Sequence, residues 1–290
     1  MFQGTITAMV TPFNDQSVDE DRLRANVDFQ IQQGIDGLVP CGTTGESPTL
    51  THDEHQRVIE IVAEQVNKRV PVIAGTGSNA TAEAVELTKF AKSVGADASL
   101  QVNPYYNKPT QEGLYRHFMT IADAGELPLV LYNIPGRTGI TMQPATVARL
   151  AEHENIVAIK EATGSLDIAS EIASACDLTI LSGDDSLTLP LMSIGGKGVI
   201  SVISNLIPAQ VCKLPNAALA GDFEAARKVH FELFELAKGM LSLETNPIPI
   251  KSAMAMLGMD SGEFRLPLTP LADANRQKLE ALLKKLGLLK

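Results

Sequence analysis

Ile156-Val157-Ala158-Ile159-Lys160 is a short β-branched run that ends on a charge, and residues 166–175 after it repeat apolar side chains at helical spacing. That pairing is one βα unit, and it recurs in both directions along the chain. Upstream, 129–132 precedes a helix over 144–151, and 98–102 precedes a helix over 111–124. Further back, 70–74 leads to a helix over 80–94, 37–40 to one over 52–67, and 6–10 to one over 19–33. Downstream come 178–181 with a helix over 187–194, and a last run over 198–202. Thr51 with Glu54 three residues on predicts a capping box at the start of the 52–67 helix. Eight such runs within residues 1–205 predict an α/β fold, a closed (β/α)8 TIM barrel. A doubly wound open sheet is the alternative; the count of eight and the lack of a Gly-x-Gly-x-x-Gly turn after the first run weigh against it. Residues 206–290 read as helices only, 223–241 and 274–286 among them, and are expected to form a C-terminal helical extension packed on the barrel.

Composition narrows the function. With 290 residues, 44% hydrophobic and 20% charged, the chain reads as an ordinary soluble globular protein. It has no run near the roughly 18 apolar residues of a membrane span. Nor do its first residues carry a basic stretch followed by an apolar one, so no secretory signal is expected. Three cysteines, Cys41, Cys176 and Cys212, are too few for a disulfide framework, and the cytoplasm is the simplest compartment. A net charge of −10 argues against nucleic acid or an anionic membrane as partner, yet permits an anionic substrate beside a local basic group.

In barrels of this kind the chemistry lies at the C-terminal ends of the strands. Lys160 is the anomaly there, because a charge ending an apolar run is costly to bury. Strand alternation sets Lys160 and Ala158 on one face, Val157 and Ile159 on the other. A small Ala158 beside a long lysine suits a barrel's inner face, where desolvation favours the uncharged amine that a Schiff-base nucleophile requires. The alternative is a lysine that snorkels to water. Gly42-Thr43-Thr44-Gly45 offers hydroxyls and backbone N–H groups for a carboxylate or a phosphate, or is a plain polar loop. Tyr132 ends a run and can serve as an acid/base group; Arg137, in the loop after it, has a planar fork suited to a second carboxylate. A core tyrosine and a solvated arginine are their simpler readings. The histidines at 52, 55, 117, 153 and 230 are away from strand ends, and His52 and His55 are spaced wrongly for a zincin, so no catalytic metal is expected.

Taken together these segments resemble the dihydrodipicolinate synthases, members of the pyruvate-dependent class I aldolase superfamily that includes N-acetylneuraminate lyase. The likeness runs from Gly4-Thr5-Ile6-Thr7-Ala8 to Asn246-Pro247-Ile248-Pro249-Ile250-Lys251, and Tyr132-Asn133-Ile134-Pro135-Gly136-Arg137-Thr138 is its most specific part. The resemblance implies a lyase that joins pyruvate to L-aspartate 4-semialdehyde, giving 4-hydroxy-tetrahydrodipicolinate at the head of diaminopimelate and lysine biosynthesis. An aldolase for another aldehyde, of the N-acetylneuraminate or keto-deoxy sugar acid type, is the alternative. By the same resemblance Lys160 forms the imine, Thr43 and Thr44 hold the pyruvate carboxylate, and Tyr132 shuttles protons through Thr44 to Tyr106. Tyr106 then completes a neighbouring subunit's site in a homotetramer, a dimer of dimers. Arg137 binds the semialdehyde carboxylate, and backbone groups near Gly183 and Ile200 line the pocket. No external cofactor is implied. L-Lysine is implied as an inhibitor, at a site distinct from Lys160 formed by Ser47, Pro48, His52, His55, Asn79, Glu83 and Tyr105; family members commonly have alanine where Pro48 stands.

Overall fold

Helical crossovers between successive strands allow them to pair in parallel, and here they do so around a ring. The computed structural model describes residues 2–290. Its barrel strands are β1 (Gly4–Ala8), β2 (Gly37–Val39), β3 (Ile73–Gly75), β4 (Ala98–Val102), β5 (Leu129–Asn133), β6 (Ile156–Glu161), β7 (Thr179–Ser182) and β8 (Gly198–Ser201). The parallel ladder runs β2-β1-β8-β7-β6-β5-β4-β3. A single bridge between Leu38 and Val72 closes the seam from β2 to β3, with the Leu38 N–H donating to the Pro71 carbonyl at 3.0 Å.

The helices are α1 (Glu20–Gln32), α2 (His52–Val66), α3 (Thr81–Ser93), α4 (Gln111–Gly125), α5 (Pro144–Leu150), α6 (Leu166–Ala175), α7 (Thr188–Ser193) and α8 (Pro208–Leu219). α8 packs on β1 and completes the outer ring, so we take the extension to begin after Leu219 rather than at residue 206. The extension consists of α9 (Phe223–Ser242), α10 (Ile248–Met256) and α11 (Asp273–Lys285). Its apolar side chains, Leu236, Met240, Ile250, Met254 and Leu279 among them, form one core with Val10, Val202 and Ile203 just beyond β1 and β8. The extension therefore sits beside the end of the barrel where strands finish.

Alternation holds inside the ring except at the start of β6, where a register shift against β5 turns Ile156 outward with Ile159 and sets Val157, expected on the outer face, against the interior. Ile6, Ala8, Val39, Ile73, Ala98, Leu100, Val130, Tyr132, Ala158, Leu181 and Ile200 make one interior cluster. Their neighbours along the strands, such as Leu129, Leu131 and Ile159, face outward against α4 to α6. Element limits shift where sterics decide. β3 begins at Ile73 rather than at residue 70, because Pro71 has no N–H to give the ladder. β1 begins at Gly4, opposite Gly198; a Cβ on Gly198 would come within 2.0 Å of the Gly4 carbonyl oxygen, so the pair is close enough to demand glycine. Short elements without a periodic signal lie between these units, among them a hairpin of Phe13–Asn14 with Ser17–Val18, turned through left-handed Asp15 and Gln16, and a single helical turn at Pro135–Thr138.

The capping box at α2 is present, and Glu54 does more than cap. Its carboxylate accepts from the Thr51 N–H at 2.9 Å and takes both Nη atoms of Arg265, at 2.5 and 2.7 Å, tying α2 to the extension. The Arg265 bonds hold this carboxyl well below its ordinary 4.5, at about 2. A depressed carboxyl stabilises the fold above pH 4.5 and ceases to do so as the pH falls toward 2. Glu54→Gln is expected to lower Tm at neutral pH, with the difference from the parent closing across that acid window; a difference that stays constant from pH 7 to pH 2.5 would refute this linkage.

Candidate active site

β6 carries Lys160 as its penultimate residue, and parity turns the side chain inward above Ala158. The ladder places Tyr132 of β5 and Leu181 of β7 in register with Lys160, so the three share one layer. Lys160 Nζ lies 4.2 Å from the centre of the Tyr132 ring, and the two residues are 6% and 5% exposed. An amine is thus held against an aromatic face at the mouth of a sealed barrel. Gly183, one residue past β7, lies alongside: a Cβ there would stand 3.2 Å from Lys160 Cε and 2.6 Å from the Ala162 Cβ. Ile200 sits in the same interior cluster.

Two buried carboxyls stiffen this rim from behind. Glu161 accepts from the Thr163 N–H at 2.7 Å and from Asn133 Nδ2 at 3.4 Å. Burial pushes its carboxyl up, partly offset by the Thr163 and Asn133 bonds. Asp185 accepts the N–H groups of Val202 at 2.9 Å and Ile203 at 3.2 Å, which fixes the chain leaving β8; burial pushes this carboxyl up as well.

The loop after β2 closes on itself. Gly45 N–H donates to the Gly42 carbonyl and Glu46 N–H to the Thr43 carbonyl, both at 3.1 Å. Thr43 faces a cavity of about 450 Å³ that Tyr132 and Arg137 also line. Thr44 is buried, and its hydroxyl accepts from Asn246 Nδ2 at 3.0 Å. Arg137, on the single turn after β5, donates to the Asn246 carbonyl at 2.9 Å. Asn246 therefore grips both polar groups from the extension. It stood in a stretch noted only for its family likeness, and a contact across 202 residues leaves no trace in local pattern.

Six of the seven residues of the second expected site, Ser47, Pro48, His52, His55, Glu83 and Tyr105, line that same cavity. Of the first set, Thr43, Tyr132 and Arg137 line it too, while Lys160 and Thr44 are not among its lining residues. His55 Nε2 meets the Gly75 carbonyl at 2.7 Å, and burial lowers its imidazole pKa. His52 Nε2 is 3.2 Å from Glu83 Oε1, and the Ser78 hydroxyl donates to Glu83 as well. Asn79 is engaged differently, its Oδ1 accepting the Tyr105 N–H at 2.7 Å. Tyr106 points away from all of this and is 92% exposed. Among the described residues no three of His, Cys, Asp and Glu gather in a way that could hold a metal ion, and no helix is long and apolar enough to cross a membrane.

A lysine amine laid on a tyrosine face inside a (β/α)8 barrel, where the same tyrosine lines a cavity with Thr43 and Arg137, is a site suited to carbonyl chemistry. The chain belongs to the dihydrodipicolinate synthetase family, whose model matches residues 1–286. It is 58% identical, over the full length of both chains, to the 4-hydroxy-tetrahydrodipicolinate synthase of Pelobacter propionicus. Among solved structures it is similar to the chloride-inhibited dihydrodipicolinate synthase from Acinetobacter baumannii complexed with pyruvate: TM-score 0.97, 46% identity, all of both chains covered. It is also similar to the dihydrodipicolinate synthase from Cyanidioschyzon merolae with lysine bound, at TM-score 0.96 and 42% identity over 99% of each chain.

Because a Cβ on Gly183 has no room, Gly183→Ala is expected to displace the Lys160 side chain while leaving the outer barrel intact. Crowding of this kind costs roughly 1–3 kcal/mol, so imine formation with a keto acid is expected to slow by about tenfold or more. Stopped-flow measurement of that step decides it; an unchanged rate in a folded variant would show that the lysine has other room.

Proposed function

We propose that this enzyme condenses pyruvate with L-aspartate 4-semialdehyde, releasing 4-hydroxy-tetrahydrodipicolinate and one water, the first step committed to diaminopimelate and lysine. The observation that carries the reading is the buried amine of Lys160 packed on the Tyr132 ring, with Tyr132 in turn lining the cavity that Thr43 and Arg137 face. Lys160 Nζ attacks the keto carbon of pyruvate and water leaves, giving an imine. Thr43 and Thr44 receive the pyruvate carboxylate. The imine withdraws electrons, so the methyl group loses a proton to Tyr132 and an enamine forms. The enamine carbon bonds to the aldehyde carbon, whose oxygen takes up a proton. The amine of the semialdehyde portion then displaces Lys160 and closes the six-membered ring. Backbone groups at Gly183 and Ile200 border the imine. Lysine itself supplies the electron sink, so this sequence requires no external cofactor or metal.

Arg137 is the specificity element of this reading. One Nη is committed to the Asn246 carbonyl, which holds the fork at the cavity wall where a second carboxylate would be met. Sodium borohydride added with pyruvate is expected to leave a mass adduct on Lys160, and Lys160→Ala is expected to fold but lose nearly all turnover. The parent enzyme is expected to consume pyruvate with aspartate semialdehyde and not with N-acetylmannosamine. An adduct on Lys251, or the reverse substrate preference, would overturn the reading.

The exposed Tyr106 supports an assembly in which it enters a neighbour's site and joins Thr44 and Tyr132 in a proton relay, and we take the active form to be a homotetramer, a dimer of dimers. The free thiols and the acidic surface accord with a cytoplasmic setting. L-Lysine is proposed as inhibitor at Ser47, Pro48, His52, His55, Asn79, Glu83 and Tyr105. Glu83 would exchange His52 for the ligand's ammonium, and the Tyr105 hydroxyl would donate to its carboxylate. A lysine titration of initial rate is expected to inhibit the parent at millimolar concentration and to inhibit Glu83→Thr and His55→Lys far less. Equal inhibition of all three would remove these residues from the site.

A further inference from the structure

The pair formed by Lys251 of α10 and Glu46 of the loop after β2 has no part in the chemistry above, yet it is the most deeply buried ion pair described. Lys251 Nζ is 2.6 Å from Glu46 Oε1, and neither side chain has any exposed surface. The same ammonium donates to the Thr11 carbonyl at 2.9 Å and lies 4.1 Å from the centre of the Phe13 ring. A buried ion pair is commonly no more stabilising than an apolar pair of the same volume, so stability alone does not account for it. What such a pair does supply is fixed geometry at its two ends.

Both ends lead to one place. Glu46 directly follows Thr43-Thr44-Gly45, and its backbone is held in the left-handed region at φ 54°, a conformation that a non-glycine residue keeps only where its surroundings impose it. Its N–H closes the loop on the Thr43 carbonyl. At the other end, Thr11 receives Lys251 through its carbonyl and donates its own hydroxyl to the Gly45 carbonyl at 2.7 Å. The approach is tight: a Cβ on Gly45 would stand 3.1 Å from both the Met9 carbonyl oxygen and the Thr11 hydroxyl. One ammonium thus holds the segment at 43–46 from two sides, through Glu46 and through Thr11.

We propose that Lys251 and Glu46 are positioning residues for pyruvate, setting the orientation in which Thr43 and Thr44 present their hydroxyls and N–H groups to the substrate carboxylate. This rests on the reading that those threonines take that carboxylate. Neither Lys251 nor Glu46 touches substrate; they act through the loop.

The test is the double variant Glu46→Gln/Lys251→Met, which removes both charges of the pair together and leaves the buried Asp260 without the attraction of Lys251. Its KM for pyruvate is expected to rise about tenfold, as is the pyruvate concentration that half-saturates borohydride trapping on Lys160, the equivalent of one lost charge-assisted hydrogen bond. Turnover at saturating pyruvate and KM for the aldehyde are expected to stay within about threefold, since the lysine layer is untouched. A merely structural pair would lower Tm and leave the pyruvate KM of the folded enzyme unchanged, and that result would overturn the proposal. If the double variant does not fold, Thr11→Val decides, because it deletes only the hydroxyl tie to Gly45; the same rise in pyruvate KM is expected, and an unchanged KM would overturn the proposal. Thr43→Val separates the two levels. A pyruvate KM unmoved by Thr43→Val removes the carboxylate reading and this proposal with it. A KM raised by Thr43→Val but not by the double variant removes the positioning role alone.

Discussion

Parity along β6, locked to β5 by ladder register, is the constraint from which the site follows. Because Tyr132 and Lys160 are ladder partners and both face inward, phenol and amine share a layer without any loop having to bring them together. A slip of one residue in either strand would send one of them outward among the helices. The layer beneath contains Val130 and Ala158, and the small Ala158 leaves the lysine stem room to rise toward the mouth. Everything else at the site is arranged around a position that strand pairing alone has determined. Gly183 keeps the space beside the stem open, and the buried Glu161 and Asp185 anchor the backbone behind it.

The polar loop at 42–46 depends on the opposite kind of interaction. No ladder fixes it; apart from the Thr11 hydroxyl on Gly45, its side-chain partners come from the far end of the chain. Asn246 reaches Thr44 and Arg137, Lys251 reaches Glu46 and Thr11, and Arg265 reaches Glu54. The barrel provides the buried lysine, and the extension provides partners for the polar loop. Such a division is coherent energetically. Strand pairing and apolar packing tolerate no hydroxyl-rich loop in the core, so the loop's polar groups find their partners in a second, later-packed layer.

That division also marks what could be read from the sequence. Patterns of period 2 and 3.6 located all eight strands and seven of the helices between them, while the eighth helix, Pro208–Leu219, was assigned to the extension; the inward face of Lys160 followed from counting residues back to Ala158. The capping box at Thr51 and Glu54 was legible because its parts lie three apart. The Pro135–Thr138 turn and the Phe13–Val18 hairpin were not, being too short for a period to show. Asn246 and Lys251 were visible only as part of a family likeness, since the contacts that give them meaning span 202 and 205 residues. That the residues expected around lysine share one cavity with Thr43 and Tyr132 is likewise a matter of how α2 and α3 pack, and no spacing encodes it.

The pairing of β1 with β8 bears on how a ribosome delivers this molecule. Gly4 leaves the exit tunnel 194 residues before Gly198, its ladder partner. Until then β1 has an open edge, and the barrel is a growing sheet rather than a ring. The loop at 42–46 waits longer still, since Asn246 and Lys251 follow after the ring can close. Synthesis at about 5–20 residues per second therefore separates the appearance of the two threonines from that of their last partners by on the order of ten seconds or more. The nascent chain has its two threonines long before it has the residues that hold their loop in place.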